Sequence, residues 1–290
     1  RDARWFLIGV SFIPLFCVVL GVGYDALGKN PMFYRGHEGA NRLQGSSIPA
    51  FLAAGSALAT FTALCCARHF DQRFFIIVGL NLAILALTGG RMALAIALLA
   101  GGFIVLTRYR ITPALILQGV VAVVALVAVG FMAFPDLIHR IQSDTDSGRG
   151  PLWAALIHVW NNHPYFGIGL GHQTLVVPES VLRYVLTIAA HNEYIRLGVE
   201  IGWVGLGLLG AAIAALMYVN WASPPKRGDL LFPLMCLLFL LFSYSDNALS
   251  LPTIFGLMTA AYFEKFVGVD KPQRILFMPF QIRPPFETGR

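Results

Sequence analysis

SGRGPLWAALIHVWNNHPYFGIGLG (147–171), followed by AHNEYIRLGVEIGWVGLGLLG (190–210), sets ionisable side chains directly against hydrocarbon-seeking sequence. Arg149, His163, His172, His191, Glu193, Arg196 and Glu200 all fall in or beside these two stretches. Polar and charged groups at a membrane boundary are costly to desolvate, so their presence there signals function. Whether a membrane is present is decided by what surrounds them.

Working outward, 57% of the 290 residues are hydrophobic and 12% are charged. A soluble domain carries about 25% charged residues, so the composition is that of a polytopic membrane protein. Apolar runs of spanning length, or a little less, occur at 5–23, 48–66, 74–87, 92–106, 113–133, 194–219, 230–245 and 252–267. Each must be helical, because a helix satisfies its own backbone groups in lipid. The runs at 74–87 and 92–106 are parted only by Thr88-Gly89-Gly90-Arg91. One helix across both would be about 50 Å long at 1.5 Å per residue, too long for one bilayer. A tight turn at Gly89 and Gly90 is therefore expected. The predicted fold is all-α, a bundle of about eight transmembrane helices over residues 1–267, with a disordered or non-native cytoplasmic tail at 268–290.

The basic residues set the orientation. With the N-terminus inside, the short loops 67–73, 107–112 and 220–229 each carry two basic residues on the cytoplasmic side. This is the positive-inside pattern, and the net charge of +6 is thereby sorted by loop rather than gathered for nucleic acid. The long loops 24–47 and 134–193 then face the exterior. In the second, Trp153, Leu156, Ile157 and Trp160 share a helical face, which predicts an amphipathic helix lying in the interface plane. Pro164 ends that helix, and Gly167, Gly169 and Gly171 are expected to keep the chain after it flexible.

Several outer residues allow two readings. His191 or Asn192 can cap the helix that follows, with Glu193 complementing its dipole. Alternatively, His191 is a neutral imidazole placed as a general base for a hydroxyl. Glu193, Arg196 and Glu200 share a face at i, i+3 and i+7 and read as an ion-pair row beside it. Gly198, Gly202, Gly205, Gly207 and Gly210 form a face that lets another helix approach. Arg42, Arg91 and Arg149 lie on the outer side, against the charge bias, where guanidinium groups can hold a phosphate. Against that stand snorkelling for Arg91, pairing with Asp144 or Asp146 for Arg149, and solvation for Arg42. Asp246, between the last two spans, reads as a cap with an acid/base role open. His158, His163 and His172 lack metal-ligand spacing. Cys17, Cys65, Cys66 and Cys236 lie in apolar runs and form no CxxC pair.

Four segments together resemble the O-antigen ligase family, which includes polysaccharide polymerases and protein O-oligosaccharyltransferases. They are NRLQGSSIPAFLA (41–53), LTGGRMALAIALL (87–99) and the two stretches quoted first. The resemblance implies a metal-independent, inverting glycosyltransferase without cofactor, facing the periplasm from the bacterial inner membrane. Its donor would be a glycan on undecaprenyl pyrophosphate and its acceptor a hydroxyl of lipid A-core, or of another glycan in a polymerase. A lipid-linked glycan transporter is the reading from another class. By position, Arg42 and Arg149, with Arg91, match arginines that bind the donor pyrophosphate. His191 matches the histidine that activates the acceptor, and Asn192, Glu193, Arg196 and Glu200 support it. Two departures stand out. The family has more spans than the eight counted, implying further N-terminal spans. Its usual Ser-Arg after Leu-Thr-Gly is Gly90-Arg91 in this sequence.

Overall fold

The computed structural model describes residues 2–35, 41–108, 149–185 and 188–267. The expected span at 113–133, Asp144 and Asp146, and the tail at 268–290 lie outside the described residues.

Nine helices are numbered in chain order among the described residues: α1 (Asp2–Ala26), α2 (Pro49–His69), α3 (Phe74–Thr88), α4 (Arg91–Arg108), α5 (Gly150–Asn162), α6 (Glu179–Val185), α7 (Glu193–Ala222), α8 (Leu231–Ser243) and α9 (Pro252–Phe266). Helices thus stand at seven of the eight expected spans. Three of them, α1, α2 and α7, are long and apolar enough to cross a membrane by length and composition; α3, α4 and α8 are shorter apolar helices. The chain is a mostly helical membrane protein. Its departure from an all-α fold is a short antiparallel pair, β1 (Phe33–Arg35) with β2 (Asn41–Leu43), in which Arg42 faces Tyr34. This pairing satisfies backbone groups that a loop would leave to water.

The bundle is built on α2, which is buried from Leu52 to Ala67. Its composition explains this. Ala53, Ala54, Gly55, Ser56, Ala57, Ala59 and Ala63 give it a slender profile, and small residues let helices approach closely where lipid supplies no hydrophobic drive. Around it pack α1, α3, α4 and α9. The Ser11 hydroxyl donates to Thr62 Oγ1 at 3.1 Å, and Asn81 Nδ2 donates to the Ser11 carbonyl at 3.0 Å. These bonds join α1, α2 and α3 inside the apolar layer. Phe61, Ile96, Ile104, Met235, Phe239, Ile254 and Leu257 close the core.

The turn expected at Gly89 and Gly90 forms. Gly89 takes a left-handed conformation, φ 69°, and caps α3. A Cβ on Gly90 would stand 2.6 Å from the Ala53 Cβ, so the α3–α4 turn is wedged against α2 and the two arms lie on α2 rather than on each other.

The bundle has two distinct polar ends. At one, His69 Nε2 meets Glu264 Oε1 at 2.9 Å, Lys226 Nζ donates to Glu264 Oε2 at 3.1 Å, and Arg4 lies over Phe70. These are segments assigned together to the cytoplasm by their charge. At the other end lie Arg42, the α3–α4 turn, the start of α7 and the end of α8.

Candidate functional site

The stretch before α7 is extended, and Asn192 caps the helix. Its side-chain oxygen accepts from the Tyr194 and Ile195 amides, each at 3.1 Å. Capping therefore belongs to Asn192, and His191 is left for other work. His191 adopts φ 48°, the sole positive φ at a non-glycine among the described residues. Such a conformation is unfavourable for a residue with a Cβ and persists where surrounding contacts impose it. One of those contacts is Trp153 of α5, whose indole N–H donates to the Ala190 carbonyl at 2.7 Å.

His191 Nδ1 lies 3.0 Å from Asp246 Oδ1. Asp246 follows α8, and the same oxygen accepts the Asn247 amide at 2.8 Å. Burial pushes this carboxyl up, but the hydrogen bond from His191, the Asn247 amide and the charges of His191 and Arg149 outweigh it and hold it below the ordinary carboxylate range. An ionised Asp246 fixes the imidazole with its proton on Nδ1, which leaves Nε2 as the acceptor. Arg149, at the N-terminus of α5, is near enough for its charge to act on Asp246. The structure therefore pairs His191 with Asp246 from two separate elements, with the charge of Arg149 on a third acting on the pair. Asp246 is the residue that the sequence reading left out of the site. Its one signal there was a lone carboxylate at the outer end of an apolar span, a position that calls for a partner.

Arg42 and Arg91 form a second group. The Arg42 side chain runs along the α3–α4 turn, with its Nε 3.9 Å from where a Gly89 Cβ would be. Arg91 is exposed at the first position of α4. The first amides of a helix lack intrahelical acceptors and carry a partial positive charge, so this turn favours an anion. Gly90 is explained by its contact with Ala53, which leaves no room for a Cβ. Ala53 of α2 lies beneath Gly90, and Gly55 of α2 lies beside Thr253 of α9.

The ion-pair row is present and doubly anchored. Arg196 donates from Nε to Glu193 Oε1 at 3.1 Å, its Nη2 meets the same oxygen, and Nη1 donates to Glu200 Oε2 at 3.0 Å. Both carboxylates are buried. Glu200 Oε1 also accepts the Gln173 amide at 3.4 Å, and the Gln173 side chain donates to the Ile188 carbonyl at 2.9 Å. This network clamps the segment that leads into His191.

Two glycine expectations are corrected. Gly167 and Gly169 do not loosen the chain; they lock it to α7. At Gly202, φ 61° and ψ −169°, α7 breaks. The backbone groups freed there are taken up by the loop after α5. Trp203 N–H donates to Pro164 O at 2.8 Å, Val204 N–H to Tyr165 O at 3.0 Å, Ile168 N–H to Val199 O at 2.9 Å, and Gly169 N–H to Glu200 O at 2.9 Å. A Cβ on Gly167 would lie 2.4 Å from Glu200 backbone, and one on Gly202 2.4 Å from Tyr165 backbone. The glycine face of α7 is also not uniform. Gly198 receives the Trp160 ring, whereas Gly207 and Gly210 have nothing within 4 Å.

The amphipathic helix is α5, but its buried stripe is Leu152 and Leu156, with Trp153 and Trp160 partly buried and Ile157 41% exposed. The stripe packs against Ile195 and Val199 of α7, so the apolar face is covered by protein. His158, His163 and His172 lie apart. His158 faces Asn162 at 3.4 Å, His163 ends α5, and His172 Nδ1 is 3.0 Å from the Leu170 carbonyl. Among the described residues no three His, Cys, Asp or Glu side chains converge as a metal would require.

Residues 76–210 match a protein-family model described as O-antigen ligase. The match contains Arg91, Arg149, His191 and the Glu193–Arg196–Glu200 row, while Arg42 and Asp246 lie outside it. A search of curated proteins found none that matches.

Proposed function

We propose, from the match of residues 76–210 to the O-antigen ligase family model, that this chain transfers a glycan from undecaprenyl pyrophosphate to an acceptor hydroxyl, that of lipid A-core, on the periplasmic face of a bacterial inner membrane. The observation that carries this reading is the contact of His191 with Asp246 beside Arg149.

The chemistry follows from the groups present. His191 Nε2 takes the proton of the acceptor hydroxyl, and the oxygen attacks the anomeric carbon. Asp246 orients the imidazole and stabilises the imidazolium as it forms; this is the arrangement of the serine-protease histidine and aspartate. The bond between the anomeric carbon and the pyrophosphate oxygen breaks, and its electron pair leaves with undecaprenyl pyrophosphate. Attack from the face opposite the leaving group inverts the anomeric centre. Charge that builds on the pyrophosphate is met by Arg149, Arg42, Arg91 and the N-terminus of α4, which do the work a metal would otherwise do. Asn192, Glu193, Arg196 and Glu200 keep His191 in place without touching substrate.

The test is transfer in vitro from a lipid-linked glycan by the full-length protein in detergent or vesicles. His191→Ala is expected to abolish turnover, and excess chelator to leave it intact. Wild-type turnover by His191→Ala would overturn the role of His191. Product size reports the acceptor: a ladder growing on the lipid carrier makes the protein a polymerase, and cargo movement without bond formation makes it a transporter.

A further inference from the structure

The break at Gly202 divides α7 into a short outer helix and the twenty residues 203–222. Twenty residues rise about 30 Å, the thickness of a bilayer's hydrocarbon core. The exposed side chains along this inner part have the pattern of a lipid-facing flank. Leu208, Leu216 and Val219 are exposed, with Trp203 at one end and Tyr218 and Trp221 at the other. Aromatic residues collect at both membrane–water interfaces, so Trp203 marks the level of one of them.

The loop after α5 is fixed at that level by the backbone. The bonds from Trp203 to Pro164 and from Val204 to Tyr165, with Gly167 seated against Glu200, hold it rigidly beside the break. It nevertheless presents Tyr165, Phe166 and Leu170 outward at 68%, 75% and 67% exposure. A contiguous exposed apolar patch marks an interaction site, and this one continues the lipid-facing surface of α7. By contrast the apolar stripe of α5, whose amphipathicity pointed to the interface, is already covered by α7.

We infer that the Tyr165–Leu170 turn is a membrane-docking wedge whose Tyr165, Phe166 and Leu170 side chains enter the headgroup–acyl boundary of the phospholipid leaflet beside Trp203. The wedge ties the loop packed on the α7 break to the membrane surface. It thereby sets the site at the depth where the phosphates of a membrane-borne substrate lie. It rests on α7 as a membrane span and is independent of the chemistry proposed above.

The experiment places a nitroxide on Phe166→Cys in the full chain, reconstituted in phosphatidylcholine–phosphatidylglycerol vesicles. The signal of identically treated protein without the added cysteine is subtracted. Collision with oxygen and with a water-soluble nickel chelate reports depth. Two comparison labels bracket it, Leu208→Cys on the lipid flank and His158→Cys on the exposed side of α5. The oxygen-to-nickel accessibility ratio at 166 is expected to exceed that at 158 and to approach that at 208. A ratio at 166 equal to that at 158, with 208 in lipid, overturns the wedge while the span stands. Water access at both 166 and 208 overturns the span and the wedge together. Immobilisation at 166 with spin–spin broadening between copies overturns the lipid assignment in favour of a second copy of this chain.

Discussion

His191 Nδ1 and Asp246 Oδ1 stand 3.0 Å apart although 55 residues separate them in the chain. The contact joins the start of α7 to the end of α8, and it turns a histidine of undecided role into one with a fixed tautomer. Asp246→Asn keeps the shape but replaces an acceptor with a group that can donate, which favours the wrong tautomer. Loss of a correctly poised general base costs roughly 10²- to 10⁴-fold. A fall of that order in kcat is expected, with little change in donor KM, measured by transfer from lipid-linked glycan. Near-wild-type kcat would remove Asp246 from the mechanism.

Acid should dissolve the same contact. The Asp246 carboxyl is held below its ordinary value of about 3.9. A group depressed by folding contributes stability that is fully present above its unfolded pKa and is lost as pH falls through the folded one. Melting temperatures of wild type and Asp246→Asn in detergent should therefore differ by a constant amount at neutral pH. That difference should close only below about pH 4. A gap that stayed unchanged below that pH would remove the ionised Asp246 carboxylate from the linkage.

Arg196 holds two buried carboxylates, with side-chain exposures of 17% for the arginine, 3% for Glu193 and 2% for Glu200. Removing one partner of a buried ion pair leaves an uncompensated charge, costing about 3–5 kcal/mol. Arg196→Met should lower the melting temperature steeply, whereas Glu179→Gln, which breaks the exposed pair with Arg183, should leave it nearly unchanged. Equal effects would show that the α7 network adds little.

The glycines of the break can be ranked. Gly202→Ala and Gly167→Ala each place a Cβ 2.4 Å from backbone at a left-handed residue. The positive φ alone costs about 1–3 kcal/mol, and the clash adds to it. Gly210→Ala meets nothing within 4 Å in a regular helical stretch and should gain up to about 1 kcal/mol of helix propensity. Thermal unfolding of the three variants checks the order; a destabilised Gly210→Ala beside a tolerant Gly202→Ala would reverse it.

Arg149→Lys and Arg42→Lys retain charge but lose the planar fork that binds two phosphate oxygens at once. Donor KM should rise with each, by about tenfold for about 1.4 kcal/mol of lost binding. Titration of the donor at saturating acceptor measures it, and unchanged donor KM in both variants would move the pyrophosphate elsewhere.

Much of this protein can be read from its chain. Apolar run length predicted helices that stand at seven of the eight expected positions, because in lipid a backbone has no other way to satisfy itself locally. The Gly89–Gly90 turn followed from length alone, and Glu193, Arg196 and Glu200 followed from helical spacing, since both depend only on near neighbours. His191, Arg42, Arg91 and Arg149 stood out because charge beside hydrocarbon is conspicuous in one dimension. What the chain did not disclose depends on distant atoms. The partner of His191 is 55 residues away and carries no spacing signal. The stretch from Gly167 to Gly171 has the composition of a flexible loop, yet Gly167 is demanded by carbonyls of α7 that only the break at Gly202 sets free. The apolar face of α5 looked like a lipid face because periodicity reports that a face is buried, not what buries it; tertiary packing gave that face to α7 and left Tyr165 and Phe166 outward instead.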